Sequence, residues 1–366
     1  MTALVCWQPL LTDHQRYTLD ALGVELGTVP EYIVAEVADQ VRDAQGWARV
    51  DSALTKLPAS GLWSWARAAL AQADTVHIFG SPFGNRRLIG VLALALWSGV
   101  PVWLVSEPWS TAADGYFAEQ RRWQDRVRAA LRPWVYRGYA RLIAKRVAGV
   151  FAISPLAVAQ YRDMGVPAAR IIPFGYFVRA PVALPAPPAS SPVLRVAFVG
   201  ALIARKGIAE LAAAATMLAA DRAALKIDVF GPGELPDGSA ALRHCGQIPF
   251  GEAGQVMAGY DLLVVPSRHD GWGVVVNEAL MAGVPVVASD RTGAGAMIDR
   301  WGCGGRFAAG SAADLAATLA RLARDRAALA SMRAAARALA PALHPARAAA
   351  YMAAAIRGMP EPNPWY

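Results

Sequence analysis

Apolar runs of strand length alternate with Ala- and Leu-rich stretches of helical length along most of the chain. Parallel sheets joined by crossover helices produce this pattern, because their strands are covered on both faces. In the first half, residues 76–79, 102–105 and 150–153 read as buried strands, and 196–199, 227–230, 262–265 and 284–288 repeat the style in the second. One phrase recurs: Leu94-Ala95-Leu96-Trp97-Ser98-Gly99-Val100-Pro101-Val102 parallels Glu278-Ala279-Leu280-Met281-Ala282-Gly283-Val284-Pro285-Val286. Each reads as a helix stopped by glycine and a strand begun at proline. The region after Gly310 reads as Ala/Arg-rich helix, and the proline-punctuated stretch 360–364 as a frayed end. No repeat of solenoid length is present.

Residues 88–105 contain no charged side chain over 18 positions, long enough to raise a membrane span. Ser98-Gly99-Val100-Pro101 interrupts the run, so it is expected to divide into a buried helix through Trp97 and a buried strand from Val102. Between the halves, 181–192 holds Pro181, Pro185, Pro187, Pro188 and Pro192 with small residues and no charge, the composition of a stiff linker. The expected organisation is a first domain over 1–180, the linker over 181–192, a second domain over 193–340, and a terminal helix and tail over 341–366 that packs back on the first domain.

The chain has 366 residues, 55% of them hydrophobic and 17% charged, enough to bury large cores and too apolar for extensive disorder. Cys6, Cys245 and Cys303 are odd in number and far apart, without the spacing of a metal site or a disulfide framework, so a reducing compartment fits. Residues 1–11 have no basic segment followed by an apolar stretch and a cleavage site, and a cytoplasmic location is expected. The net charge of +8 favours an anionic partner. Its distribution is uneven: 121–146 carries Arg121, Arg122, Arg126, Arg128, Arg132, Arg137, Arg141, Lys145 and Arg146 against a single acid, Asp125.

Two segments of the second half carry candidate chemistry. In the first, 196–208, a strand runs through Gly200-Ala201-Leu202-Ile203-Ala204-Arg205-Lys206-Gly207 into a helix. Such a loop brings backbone N–H groups and a helix N-terminus to a phosphate, while Arg205 and Lys206 supply fixed positive charge for a diphosphate. Alone, the segment reads sooner as a solvated basic turn after a strand than as a phosphate site. In the second, the strand 262–265 leads through Arg268-His269-Asp270-Gly271-Trp272-Gly273 into a helix holding Asn277-Glu278. Ligands of open α/β sheets bind outside the carboxyl ends of strands, where this loop lies. Asp270 before the helix and Glu278 past its first turn place two carboxylates where hydroxyls at different ends of one ligand could donate to them, and Gly271 and Gly273 admit close backbone approach.

These segments resemble retaining glycosyltransferase family 4, the group 1 type. Asp270 and Glu278, with seven residues between them, are similar to that family's acid-seven-acid motif, with Asp270 where the first Glu is usual. Arg205-Lys206-Gly207 is similar to its diphosphate-binding element, although Ala201 stands where many relatives have arginine. The resemblance runs from about Val196 to Ser289. It implies an α/β protein of two Rossmann-like domains facing a cleft, the GT-B fold, that moves a hexose from a UDP- or GDP-sugar to a saccharide acceptor with retained anomeric configuration. Gly200, Arg205, Lys206, Gly271, Trp272, Gly273 and Glu278 would bind the donor, with the phosphates on Arg205 and Lys206 and the nucleotide ribose on Glu278. Asp270 would face the transferred sugar. The nucleotide sugar is a co-substrate, no cofactor is implied, and the motif demands no metal.

The first half offers two further candidates. His14, in the loop after a first strand, is read either as a ligand of acceptor or donor phosphate or as a histidine that caps a helix or is satisfied within the core. Glu107, with Ser106 at the end of the strand 102–105, is read either as facing the reacting sugar or as simply solvated. The basic window has helical periodicity, with Trp123, Val127, Leu131, Trp134, Val135, Tyr139, Leu142 and Ile143 on one broad face and Pro133 expected to kink or divide it. Either this face lies on an anionic membrane, the helix being peripheral on the inner face of the plasma membrane, or it packs on the domain's own sheet. No recognition motif for nucleic acid accompanies the charge. A membrane surface would suit a lipid-linked acceptor in cell-surface polysaccharide or lipopolysaccharide synthesis. Two other readings stay open, a degenerate relative that binds a sugar nucleotide without turnover and a glycoside hydrolase using Asp270 and Glu278 as paired acids.

Overall fold

The computed structural model describes residues 3–37, 53–81, 83, 85–109, 123–179, 191–249 and 251–366. The linker stretch 181–190 and the basic residues Arg121 and Arg122 lie outside them. The chain divides into two compact units. The first comprises Met1–Trp109, Ala130–Phe177 and Pro345–Asn363; the second comprises Ser110–Ala129, Val178–His344 and Pro364–Tyr366.

The first unit is built on a seven-stranded parallel sheet of β1 (Ala3–Gln8), β2 (Glu31–Val34), β3 (Leu54–Lys56), β4 (Thr75–Gly80), β5 (Val102–Ser106), β6 (Gly149–Ile153) and β7 (Ile171–Phe174), ordered β3-β2-β1-β4-β5-β6-β7. Val5, Trp7, Phe79, Leu104 and Val150 from the strands bury against Leu88, Val91, Leu92 and Ala95 of the crossover helix that follows β4. Each such side chain taken from water contributes about 1.5–3 kcal/mol. Among the described residues, α1 (Asp13–Leu26) and α2 (Leu62–Leu70) precede this one; α3 itself spans Arg86–Trp97. The uncharged run 88–105 therefore falls partly in α3 and partly in β5, divided at Gly99 (φ 76°). Among the described residues no helix is long and apolar enough to cross a membrane.

The basic window forms α4 (Trp123–Ile143), in which Pro133 sits inside one continuous helix and does not divide it. The single apolar face expected from periodicity is in fact two. Tyr136 stacks on Trp109 (4.3 Å), Tyr139 stacks on Phe83 (4.6 Å), and Ile143 is buried. Trp123 (70% exposed), Val127, Leu131, Trp134 (67%) and Val135 point to solvent. At 100° per residue these five fall within about a third of the helix circumference, and tyrosines 136 and 139 lie off that arc. α5 (Ser154–Asp163) then crosses from β6 to β7.

The second unit repeats the design with β8 (Leu194–Val199), β9 (Leu225–Phe230), β10 (Leu242–His244), β11 (Leu262–Val265), β12 (Val286–Ser289) and β13 (Gly304–Phe307), ordered β10-β9-β8-β11-β12-β13. Its helices are α6 (Ile208–Ala220), α7 (Ala253–Met257), α8 (Val274–Met281), α9 (Gly295–Trp301), α10 (Ala312–Arg324) and α11 (Arg326–Leu339). Val196, Phe198, Val229 and Val264 pack with Leu211, Leu218, Leu315 and Leu319 in a separate core. In both sheets the chain builds outward from a central strand and then returns to its other side, at β1/β4 and at β8/β11. The carboxyl ends of those strand pairs are the positions where open parallel sheets leave a crevice.

The last helix, α12 (Pro345–Ile356), belongs to the first unit and packs against α1. Tyr351 stacks near Phe174 (6.3 Å), and the Arg357 guanidinium donates to Glu25 O (2.7 Å). The tail read as frayed is ordered by specific contacts. Asn363 Nδ2 donates to Pro173 O (3.0 Å), and within the second unit Trp365 is fully buried, its indole N–H donating to Ala342 O (2.7 Å). One buried indole outweighs the proline-rich composition around it, because an aromatic of that size buries 150–250 Å² in typical proteins.

Candidate functional site

Three loops meet at the carboxyl ends of β8, β11 and β12 in the second unit. After β8 the chain passes Gly200, makes a single 3-10 turn over Ala204–Lys206 and enters α6 through Gly207 (φ 74°). A Cβ on Gly207 would lie 1.9 Å from Pro266 O, so only glycine lets this turn approach the loop after β11. The two loops are tied there: Arg268 N–H donates to Arg205 O (2.9 Å), Arg205 Nη1 donates to His269 O (3.2 Å), and Arg268 Nε donates to Glu210 Oε1 at the start of α6 (2.6 Å). The central contact is charged. Lys206 Nζ donates to Asp270 Oδ2 at 2.5 Å.

The loop after β12 fixes the backbone of Asp270 from the other side. Asp270 N–H donates to Arg291 O (3.0 Å), Gly293 N–H donates to Asp270 O (3.1 Å), and Ala294 N–H donates to Trp272 O (2.8 Å). Beneath them, Ser289 Oγ donates to Ser267 O (2.5 Å) and lies 3.1 Å from Thr292 Oγ1, all three residues being buried. Trp272 is 1% exposed, and its indole N–H donates to Asn277 Oδ1 (2.7 Å), joining the loop to the second turn of α8. α8 begins after Gly273 with no side-chain cap, so its first N–H groups and the positive end of its dipole face the loop.

The two carboxylates differ in electrostatic state. Burial alone would raise the Asp270 carboxyl, but Lys206 and Arg205 beside it hold it below the ordinary aspartate range. Glu278, half-buried on α8 and without an ion pair among the described residues, is pushed by burial up to about 7. Asp270 is therefore a fixed anion at neutral pH, whereas Glu278 exchanges a proton there.

The structure thus brings Gly200, Arg205, Lys206, Asp270, Gly271, Trp272, Gly273 and Glu278 into one unit, on loops and a helix around a single strand junction. The remaining candidates, His14 and Glu107, belong to the first unit. His14 is buried at the start of α1, with Nε2 3.1 Å from Thr12 Oγ1 and its ring 4.5 Å from that of Tyr176. Glu107 follows β5, half-buried, and its N–H donates to Ser81 Oγ (3.5 Å). Ser81 (φ 38°) and Ser154 (φ 80°) hold strained backbone at the ends of β4 and β6, the strands flanking β5. Sequence reasoning missed Arg268, Asn277, Ser289 and Thr292. For Asn277 a signal existed, since a buried tryptophan N–H five residues before a helical asparagine needs an acceptor.

Two doubly wound parallel sheets, with a basic loop and an acidic loop at the switch point of the second, define an α/β protein of the GT-B fold that can neutralise a diphosphate and accept hydrogen bonds from hydroxyls. Residues 194–325 match the family model described as glycosyl transferases group 1, and residues 10–176 match that of the glycosyl transferase 4-like domain. The chain is a glycosyltransferase of this family. Among solved structures it is similar to Anabaena HepE in complex with UDP and glucose (14% identity, 97% of this chain and 99% of that one, TM-score 0.67). It is also similar to sucrose-phosphate synthase from Thermosynechococcus elongatus (16% identity, 97% and 98%, TM-score 0.67). A third is WaaG, a glycosyltransferase involved in lipopolysaccharide biosynthesis (16% identity, 95% and 98%, TM-score 0.58). No curated protein sequence matches the chain.

Proposed function

We propose that the protein is a retaining hexosyltransferase that uses a UDP- or GDP-sugar and delivers the sugar to a lipid-linked saccharide in cell-surface polysaccharide or lipopolysaccharide synthesis. The observation that carries the donor half of this reading is the Lys206–Asp270 contact at the β8/β11 junction, flanked by Arg205 and by the uncapped start of α8. A diphosphate leaving group gains negative charge as the glycosidic bond breaks. Two cations and a helix N-terminus placed in advance stabilise that charge without reorganising. In this reading Arg205 and Lys206 serve the role a metal plays elsewhere, and Glu278 accepts from the ribose. Asp270 accepts from hydroxyls of the sugar, and the acceptor attacks from the face that the diphosphate leaves. HepE, solved with UDP and glucose, supports a uridine donor, and WaaG's part in lipopolysaccharide biosynthesis supports the acceptor class.

The exposed row on α4 supports the lipid side of the proposal. Trp123, Val127, Leu131, Trp134 and Val135 face solvent, with Arg137 over the Trp134 ring (5.0 Å) and Arg141, Lys145 and Arg146 exposed nearby in sequence. Indole rings favour the boundary between headgroups and acyl chains, and each basic residue gains from an anionic surface.

Turnover tests the reading directly. Release of UDP or GDP would be followed with glucose, galactose, N-acetylglucosamine and mannose donors, with and without lipid-linked acceptors. Product anomers would be read by NMR and a parallel reaction run in EDTA. Release with one donor, an anomer matching the donor's, and rates indifferent to EDTA are expected. Measurable UDP or GDP binding with no release from any donor would leave a binding protein and sink the transferase proposal.

A further inference from the structure

The donor loop has a support that no sequence motif marks. Past α12 the chain reaches Trp365, whose buried indole donates to Ala342 O (2.7 Å). That anchor fixes the next residue, and the half-buried Tyr366 ring lies 6.0 Å from the Trp272 ring, tilted by 50°. Trp272 is itself the middle of the loop: Asp270 stands two residues before it, its carbonyl accepts from Ala294 N–H (2.8 Å), and its indole N–H is spent on Asn277 (2.7 Å). The backbone of the loop is thus held by hydrogen bonds on one side, while the body of the indole is held by an aromatic neighbour that arrives from the far end of the chain.

We infer that Tyr366 is a positioning residue for sugar-donor recognition, acting through Trp272 on Asp270. The inference rests on the functional reading of Asp270 as the group that faces the transferred sugar. Tilted aromatic pairs at this distance add to the burial of both rings. Removing one ring leaves the other beside a void or water, and a side chain as large as tryptophan then shifts toward the gap. The Asp270 carboxylate, two residues away, moves with it, and misplacement of a binding group by about an ångström is costly. Lys206 pairs with Asp270, and Asn277, the neighbour of Glu278, accepts from Trp272, so nucleotide contacts feel the shift as well, but only through those partners. The predicted signature is therefore graded: contacts to the sugar weaken more than contacts to UDP.

The experiment compares Tyr366→Ala, Tyr366→Leu and Tyr366→Phe with the wild type, using UDP and UDP-glucose as probes in calorimetry and rate measurements. Hydrogen exchange over residues 268–274 is followed in parallel. Tyr366→Ala and Tyr366→Leu should lose about fivefold or more in UDP-glucose affinity relative to UDP and exchange faster over 268–274, while Tyr366→Phe behaves as wild type. Equal weakening for UDP and UDP-glucose, or unchanged exchange in both variants, would overturn the inference. Exchange requires no turnover, so it decides the packing claim even if the wild type transfers no sugar, an outcome that would count against the functional reading instead.

Discussion

Lys206 Nζ lies 2.5 Å from Asp270 Oδ2, so a cation on the loop after β8 and an anion on the loop after β11 neutralise each other across the strand junction. In the proposed reaction each must also serve the donor, the lysine its diphosphate and the aspartate its sugar. Lys206→Ala should lower kcat/KM for the donor about 10- to 100-fold, the worth of one charge-assisted hydrogen bond. Asp270→Asn should keep UDP binding and lose discrimination for the sugar. Initial rates and UDP calorimetry check both, and a Lys206→Ala variant with undiminished kcat/KM would remove the residue from the site.

The same pair makes a stability prediction. Either substitution strands a largely buried charge, at a cost of about 1–3 kcal/mol once the partial exposure of Lys206 is allowed for. The folded Asp270 carboxyl lies below the ordinary aspartate value. Its contribution is accordingly present above the unfolded pKa and lost as pH falls through the lower folded value. Urea unfolding of wild type and Asp270→Asn should converge in acid and diverge toward neutrality.

Glu278 works in the opposite direction. Its folded pKa of about 7 exceeds the ordinary glutamate value, so its contribution to stability is full below the unfolded pKa and is lost as pH rises through 7. Glu278→Gln should gain stability relative to wild type over that interval. Donor binding should show the complementary trend, since the ionised carboxylate is the better acceptor for ribose hydroxyls. UDP affinity of the wild type is expected to rise through neutrality and that of Glu278→Gln to stay flat; parallel pH slopes would disprove the assignment.

Trp272 and Asn277 form a buried hydrogen bond whose halves are unequal when separated. Trp272→Phe leaves the Asn277 side chain buried without its donor and should cost about 1–3 kcal/mol. Combining it with Asn277→Leu should restore part of the loss, and a thermal double-mutant cycle reads the coupling. Purely additive effects would mean the bond contributes nothing.

On α4, Trp123→Ser with Trp134→Ser should reduce sedimentation with anionic liposomes. Charge removal at Arg137, Arg141, Lys145 and Arg146 should weaken it by about fivefold per residue, following roughly 1 kcal/mol for each basic group near an anionic surface. Wild-type protein that sediments with neither anionic nor neutral vesicles would remove the membrane argument.

The central strands were legible from their apolar runs: 262–265 coincides with β11, 102–105 and 150–153 fall inside β5 and β6, and 227–230, interrupted only by Asp228, falls inside β9. Edge strands were not. β3 is Leu-Thr-Lys, β10 is Leu-Arg-His and β13 begins Gly-Gly-Arg, because a strand covered on fewer sides keeps polar and small residues that carry no period. At the site, residues recognised by charge and glycine spacing were readable, whereas Arg268, Ser289 and Thr292 act by tying loops together, a role visible only once the strands are side by side. The two faces of α4 were merged for a similar reason. Periodicity reports which side chains share an arc, and what fills the space beyond that arc is decided by residues such as Trp109 and Phe83, distant in sequence.

The recurring phrase found in both halves occupies equivalent ground. In each sheet it runs from the helix after the fourth strand in build order into the fifth, α3 into β5 and α8 into β12. At the aligned position one copy carries Glu278 and the other Leu94, which packs on the first unit's core. The molecule therefore uses one chassis twice, and in the proposed reaction a single exchange of carboxylate for hydrocarbon separates the copy that would meet the ribose from the one that would not. Division of labour between the halves is written in a handful of side chains on otherwise interchangeable parts.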